Sequence, residues 1–132
     1  MKIFLAGVEG IQDRHKGIKD YDNYLTTYFA FMTRNGYENF SKFLESFDLD
    51  YQNIILDSGA FSAWTQNKPV KLDEYIKFVH RFKDSLFTAI ELDVKANKNI
   101  SVEESVRQTK ENQRIMEEAG LNPLPVYHAD SY

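Results

Sequence analysis

The chain has 132 residues and a formal net charge of −4 at neutral pH, which corresponds to about one ordinary domain. Hydrophobic residues make up 42% of it and aromatic residues 14%, enough for a packed core, so the composition excludes a disordered chain. The sequence has no cysteine, which excludes disulfide scaffolds, thiolate zinc sites and cysteine nucleophiles within it. No apolar run approaches the ~20 residues of a membrane helix, and the apolar N-terminal stretch is too short for a secretory signal. We therefore expect a cytoplasmic protein with no membrane partner.

Hydrophobic periodicity predicts three amphipathic helices before residue 83. The first covers residues 21–32, where aromatic residues recur at helical spacing and Gly36 is expected to end the helix. The second covers residues 40–47, and the third covers residues 72–82.

A fourth helix is marked by its end signals. Ser101 followed by Glu104 forms a capping box, which predicts a helix that begins there and runs to about Ala119. Gly120 then occupies the position that a left-handed C-terminal cap requires, and Pro123 prevents continuation.

Apolar segments between these helices predict four strands, over residues 2–8, 53–57, 87–94 and 124–128. Strands that alternate with helices are typical of an α/β fold with a parallel sheet. The sequence contains no Gly-x-Gly-x-x-Gly and no Walker loop, so nucleotide binding of the doubly wound kind has no support and we assign no cofactor and no metal. An eight-stranded barrel needs about 250 residues. The expectation is therefore one β/α domain over residues 1–132, forming a half or partial TIM barrel; a small open sheet is the alternative.

Titratable side chains lie at the ends of three predicted strands: Asp57, Asp93 and His128. Side chains alternate across a strand, so Ala89 and Glu91 are expected to share a face with Asp93. Parallel strands bring their carboxyl ends to one rim, where α/β active sites are built, so these groups are expected to converge. Each also has a structural explanation: Asp57 as a turn cap, Asp93 as a solvated strand end, and His128 as an ordinary exposed side chain.

The segment Ile-Leu-Asp-Ser-Gly-Ala-Phe, residues 55–61, resembles the Asp-Ser-Gly-Gly-aromatic motif of the tRNA-guanine transglycosylases. It is closer still to their phage and bacterial relatives that insert 7-deazaguanines into DNA. Glu91-Leu92-Asp93 is similar to the second acidic motif of that family, and the likeness continues through the helix and strand that follow, to His128. Ala60 stands where the family usually has a second glycine.

The resemblance implies a base-exchange reaction, in which guanine leaves a nucleoside and a modified base replaces it. Asp57 then matches the acid/base aspartate, and Phe61 matches the aromatic side chain that stacks on the base. Ser58 and Gly59 shape the loop beside it.

Asp93 matches the aspartate that accepts hydrogen bonds from the Watson–Crick edge of guanine. His128 lies near a base-contacting segment of the family. The nucleophilic aspartate and the zinc module of the family lie on later parts of its barrel, so this sequence offers no candidate nucleophile.

Three hypotheses follow. The chain is the N-terminal half of a base-exchange glycosyltransferase acting on DNA or tRNA, or a non-enzymatic purine- or nucleotide-binding half-barrel, or a structural half-barrel. Outer strands of an incomplete barrel are prone to pairing, so we expect a homo-oligomer or completion by another chain in each case.

Overall fold

Four short strands form one parallel sheet in the computed structural model, which describes residues 5–6, 24–46 and 54–126. They lie side by side in chain order, each parallel to the next. They are β1 (Leu5–Ala6), β2 (Tyr24–Thr27), β3 (Ile54–Asp57) and β4 (Thr88–Ala89). One residue beyond β4, Ile90 forms a further parallel bridge with Leu124. The predicted α/β class with parallel strands is confirmed.

Four α-helices accompany these strands within the described residues: α1 (Gly36–Ser46), α2 (Ala60–Thr65), α3 (Leu72–Phe82) and α4 (Val102–Glu118). The bounds of α3 agree with the predicted 72–82. None of the helices in the described part of the chain is long and apolar enough to cross a lipid bilayer.

The end signals of α4 act largely as predicted. The Ser101 hydroxyl accepts the N–H of Glu104 at 3.1 Å and caps the helix. The carboxylate of Glu104 accepts hydrogen bonds from Arg107 and Gln108. Gly120 follows the helix with φ of +87°, a left-handed conformation that glycine adopts at low cost.

The core lies on one face of the sheet, where α1 and α3 cover β2 and β3. Alternate residues of these strands are buried, while their neighbours are only partly covered. Phe40 of α1 packs edge-on against Phe82 of α3, with ring centroids 4.6 Å apart. The fully buried Tyr75 of α3 donates its hydroxyl hydrogen to the Ile90 carbonyl oxygen at 2.6 Å, which fixes the helix to the sheet.

The helix predicted over residues 21–32 is wrong for residues 24–32, the part of it that the structure describes. This segment forms β2 and then a single 3₁₀ turn, Tyr28–Phe31, which Thr27 caps by accepting the N–H of Phe29. Two aromatic residues of the 3₁₀ turn and one of the strand are buried together, and their spacing imitates that of a helix. Gly36 begins α1 rather than ending a helix. The position requires glycine because a Cβ there would lie 1.9 Å from the Phe31 carbonyl oxygen.

The third predicted strand is much shorter than 87–94 and ends at Ala89, so strand alternation does not extend from Ala89 to Asp93. The register places Ala89 beside Leu56 on the buried face and Thr88 beside Ile55 on the opposite face. Ala89 therefore does not share the face of Asp57. The fourth predicted strand is reduced, within the described residues, to the bridge at Leu124.

Candidate functional site

The site begins where β3 ends at Asp57. The Asp57 side chain is half-buried, and its carboxylate accepts hydrogen bonds from the backbone N–H groups of Ser58 and Gly59. Ser58 is completely buried, and its hydroxyl oxygen accepts the N–H of Ala60 at 3.3 Å. The turn after the strand therefore holds the carboxylate in place and starts α2 in the same four residues.

Gly59 is required in this turn for two independent reasons. Its φ is +79°, which disfavours any residue with a side chain. A Cβ at this position would lie 2.5 Å from the Cβ of Phe29 and 2.7 Å from the Oγ1 of Thr27. The turn is thus packed directly on the segment that follows the neighbouring strand β2, which sets the position of Asp57 and of α2.

Asp57 and Asp93 lie within electrostatic range of each other. Burial raises the pKa of the Asp57 carboxyl above its ordinary value, and the negative charge of Asp93 raises this pKa further. Hydrogen bonds from the backbone of the turn oppose the shift without cancelling it. A carboxyl group with a raised pKa stays protonated up to a higher pH, which suits proton transfer to or from a bound ligand.

Side chains of α4 fix the backbone on both sides of Asp93. The Asn112 amide donates to the Leu92 carbonyl oxygen at 2.9 Å, and the Thr109 hydroxyl accepts the N–H of Val94 at 2.8 Å. Two residues before Asp93, the buried Glu91 carboxylate accepts the N–H of Val126 at 2.8 Å. Asp93 is therefore positioned by α4, although it lies outside any regular strand.

An open cavity of about 560 Å³ is lined by Asp93 but not by Asp57, and its volume is within the range typical of small-molecule sites. It lies between α2, the segment 67–72 and the segment 92–100, and α4 closes one side with Asn112. Most of its lining is apolar, and Asp93, Lys95 and three asparagines supply polar groups. Phe61 and Asp93 both line it.

The mouth of the cavity carries two exposed aromatic rings and one cation. Phe61 is 65% exposed and Trp64 is 51% exposed, and both lie on α2 with ring centroids 6.4 Å apart. The Lys95 ammonium lies 5.5 Å from the Phe61 centroid and 5.4 Å from the Trp64 centroid. Both distances are within the range of a cation–π contact.

Five of the six predicted site residues are gathered around the end of β3. They are Asp57, Ser58, Gly59, Phe61 and Asp93; His128 lies outside the described residues. Over residues 24–46 and 54–126 no three histidine, aspartate or glutamate side chains come together in a group that could hold a metal ion.

The structure adds four residues that sequence reasoning missed: Trp64, Lys95, Thr109 and Asn112. A usable signal existed for the last two, because two hydrogen-bonding residues three positions apart lie on one face of a helix.

Fold and site together define an α/β protein with a carboxylate pair beside an aromatic-lined cavity. No protein-family model, curated protein or solved structure matches this chain. The geometry of the site and the resemblance of its short motifs are therefore the features that bear on function.

Proposed function

We propose that the chain provides the base-binding part of a base-exchange glycosyltransferase similar to the tRNA-guanine transglycosylases, with guanine and a 7-deazaguanine as the exchanged bases. The observation that supports this most is that Asp57 interacts electrostatically with Asp93, which lines a cavity together with Phe61. The motif resemblance assigns these three residues to one purine site, and Asp93 is 36 residues away from Asp57 in the sequence.

Each of the three residues offers the chemistry that the proposal requires. Asp93 accepts hydrogen bonds from the N1–H and the amino group of guanine, and such charge-assisted bonds are stronger than neutral ones. The exposed Phe61 ring stacks on the purine face. Asp57, with its raised pKa, passes a proton to the leaving base and takes one from the entering base. The nucleophilic carboxylate is not assigned to any residue of 54–126.

We also propose that the sheet is part of a TIM-type barrel. Its strands follow one another in chain order, all parallel, whereas a doubly wound sheet reverses its strand order at a switch point. In a barrel of this type the carboxyl ends of the strands form the catalytic rim, and Asp57 is the last residue of β3. A second copy or further strands would complete such a barrel.

Incorporation of labelled base tests the proposed activity. The full chain is incubated with radiolabelled guanine or a 7-deazaguanine, together with tRNA or single-stranded DNA, and label in the polymer is counted. Incorporation requires that a second copy or further strands complete the site with a nucleophile, and we expect it to be lost in Asp57→Ala and retained in Asp73→Ala, a matched change at an exposed carboxylate. Incorporation that survives in Asp57→Ala would contradict the role given to Asp57.

A purine-binding protein without catalysis is the second candidate. It is favoured by the hydrogen bonds that the Asp57 carboxylate accepts from its own turn, since these also suit a purely structural cap. This candidate predicts binding of guanine without incorporation, and binding that is weakened in Phe61→Ala and Asp93→Ala but unchanged in Asp57→Asn.

A further inference from the structure

We infer that Trp64 and Lys95 form a second nucleotide subsite, which binds the nucleotide next to the exchanged base in a single-stranded nucleic acid. Trp64 stacks on the neighbouring base and Lys95 pairs with the phosphate between the two nucleotides. The inference rests on the proposed function only for the base that occupies the first subsite, at Phe61 and Asp93.

The two exposed rings are arranged to receive two bases rather than one. Phe61 and Trp64 are inclined to each other by 42°, with centroids 6.4 Å apart, so neither ring covers the other. Roughly half of the Trp64 surface is open to solvent, although large aromatic side chains are usually mostly covered. Exposed aromatic rings beside a positive groove are the common means of binding single strands, because every base has a face that can stack.

The charge around the cavity mouth suits phosphate. The two segments that border it, 67–72 and 92–100, contain four lysines, Lys68, Lys71, Lys95 and Lys98, and one acidic residue, Asp93 of the first subsite, although the whole chain has a net charge of −4. All four lysines are exposed. A polyanion therefore meets the positive charge of these lysines at the cavity mouth, although the net charge of the whole chain is negative.

Lys95 occupies a position from which it can move to a phosphate. Its ammonium lies over both rings, and cation–π contacts at exposed sites are weak. A base that stacks on Trp64 replaces this contact, and the ammonium then pairs with the phosphate of the incoming nucleotide. The cavity of about 560 Å³ is larger than a single purine fills, which leaves room for the sugar and phosphate beside the first base.

Tryptophan fluorescence reports directly on this subsite, because Trp64 is the single tryptophan of the chain. The full chain is titrated with guanosine and with single-stranded tetranucleotides that contain one guanosine, made as DNA and as RNA. We expect the tetranucleotides to quench Trp64 and to bind about tenfold or more tightly than guanosine. The DNA and RNA arms distinguish which polymer is preferred.

Variants are compared by fluorescence anisotropy of labelled tetranucleotides, with guanosine as the competitor that reports its own affinity. Trp64→Ala should weaken tetranucleotide binding about tenfold and leave guanosine binding unchanged, while Trp64→Phe should retain most of the affinity. Phe87→Ala removes an exposed aromatic ring at the opposite end of β4 and serves as the matched control. Lys95→Gln should reduce the slope of log affinity against log salt by about 0.7 for a single strand, whereas Lys110→Gln should not.

Two patterns of results overturn the inference and leave the proposed function standing. One is that guanosine and the tetranucleotides bind equally well. The other is that Trp64→Ala weakens both equally, which makes Trp64 part of the first subsite or of the fold. Failure of the protein to bind guanine, guanosine and the tetranucleotides alike would instead remove the proposed function.

Discussion

Replacing Gly59 by alanine tests whether the turn after β3 is packed as tightly as the structure indicates. The left-handed φ of +79° costs an alanine about 1–2 kcal/mol. The new Cβ would also lie 2.5 Å from the Cβ of Phe29, and overpacking of this kind costs about 1–3 kcal/mol. We therefore expect the free energy of unfolding, measured by urea denaturation, to fall by about 2–5 kcal/mol.

Gly120→Ala is the matched control for this change. Gly120 has a similar φ of +87°, but nothing lies within 4 Å of a Cβ placed there. It should therefore lose only the conformational part, about 1–2 kcal/mol, and the difference between the two variants measures the close contact with Phe29. Equal losses in the two variants would refute the reasoning, because the contact would then cost nothing.

Four further changes test the contacts of the site and of the fold around it. Asp93→Asn should lower the pKa of the Asp57 carboxyl towards its ordinary value, read by ¹³C NMR titration, because it removes the negative charge that raises this pKa; an unchanged pKa would place the two groups too far apart to interact. In the unfolded chain the Asp57 carboxyl loses its proton near its ordinary pKa of 3.8, whereas in the folded chain it keeps the proton to a higher pH. Ionisation of Asp57 therefore lowers the stability of the fold as pH rises above 3.8. Asp57→Asn should consequently gain stability relative to wild type as pH rises through this window, and urea denaturation that shows no such trend would contradict the sign. Tyr75→Phe should lower the free energy of unfolding by about 0.5–1.5 kcal/mol by removing the hydroxyl that donates to the Ile90 carbonyl oxygen, and an unchanged free energy of unfolding would show that this hydrogen bond contributes nothing. Ser101→Ala should cost about 1 kcal/mol through loss of the α4 cap, and an unchanged urea midpoint would show that the cap is dispensable.

Local sequence patterns correctly predicted the helices whose apolar stripe or capping residues lie within or directly beside the helix itself. The bounds of α3 follow from one amphipathic stripe, and α4 follows from Ser101 and Gly120 at its ends. The helix prediction failed for residues 24–31 because a strand and a 3₁₀ turn bury the same aromatic residues that a helix would bury. Pairing of Tyr24 with Ile54 is a tertiary contact, and periodicity within one segment does not contain it.

The candidate site was predicted in part for a reason that the structure corrects. Asp57 and Asp93 do interact, but strand alternation does not bring them together, since the chain leaves β4 after Ala89. Side chains of α4 hold the segment around Asp93 instead. Lys95 and Trp64 could not be paired from the sequence, because only the folded loop brings them together.

Calorimetric titration of guanine into the full chain tests the central proposal most directly. We expect guanine to bind. Adenine should bind more weakly, because it lacks the N1–H and the 2-amino group that donate hydrogen bonds to Asp93. Asp73→Ala should leave the affinity for guanine unchanged. Asp93→Ala should weaken guanine binding about 10- to 100-fold, the usual value of hydrogen bonds to a charged group. Guanine that does not bind, or that binds Asp93→Ala and wild type equally well, would contradict the account.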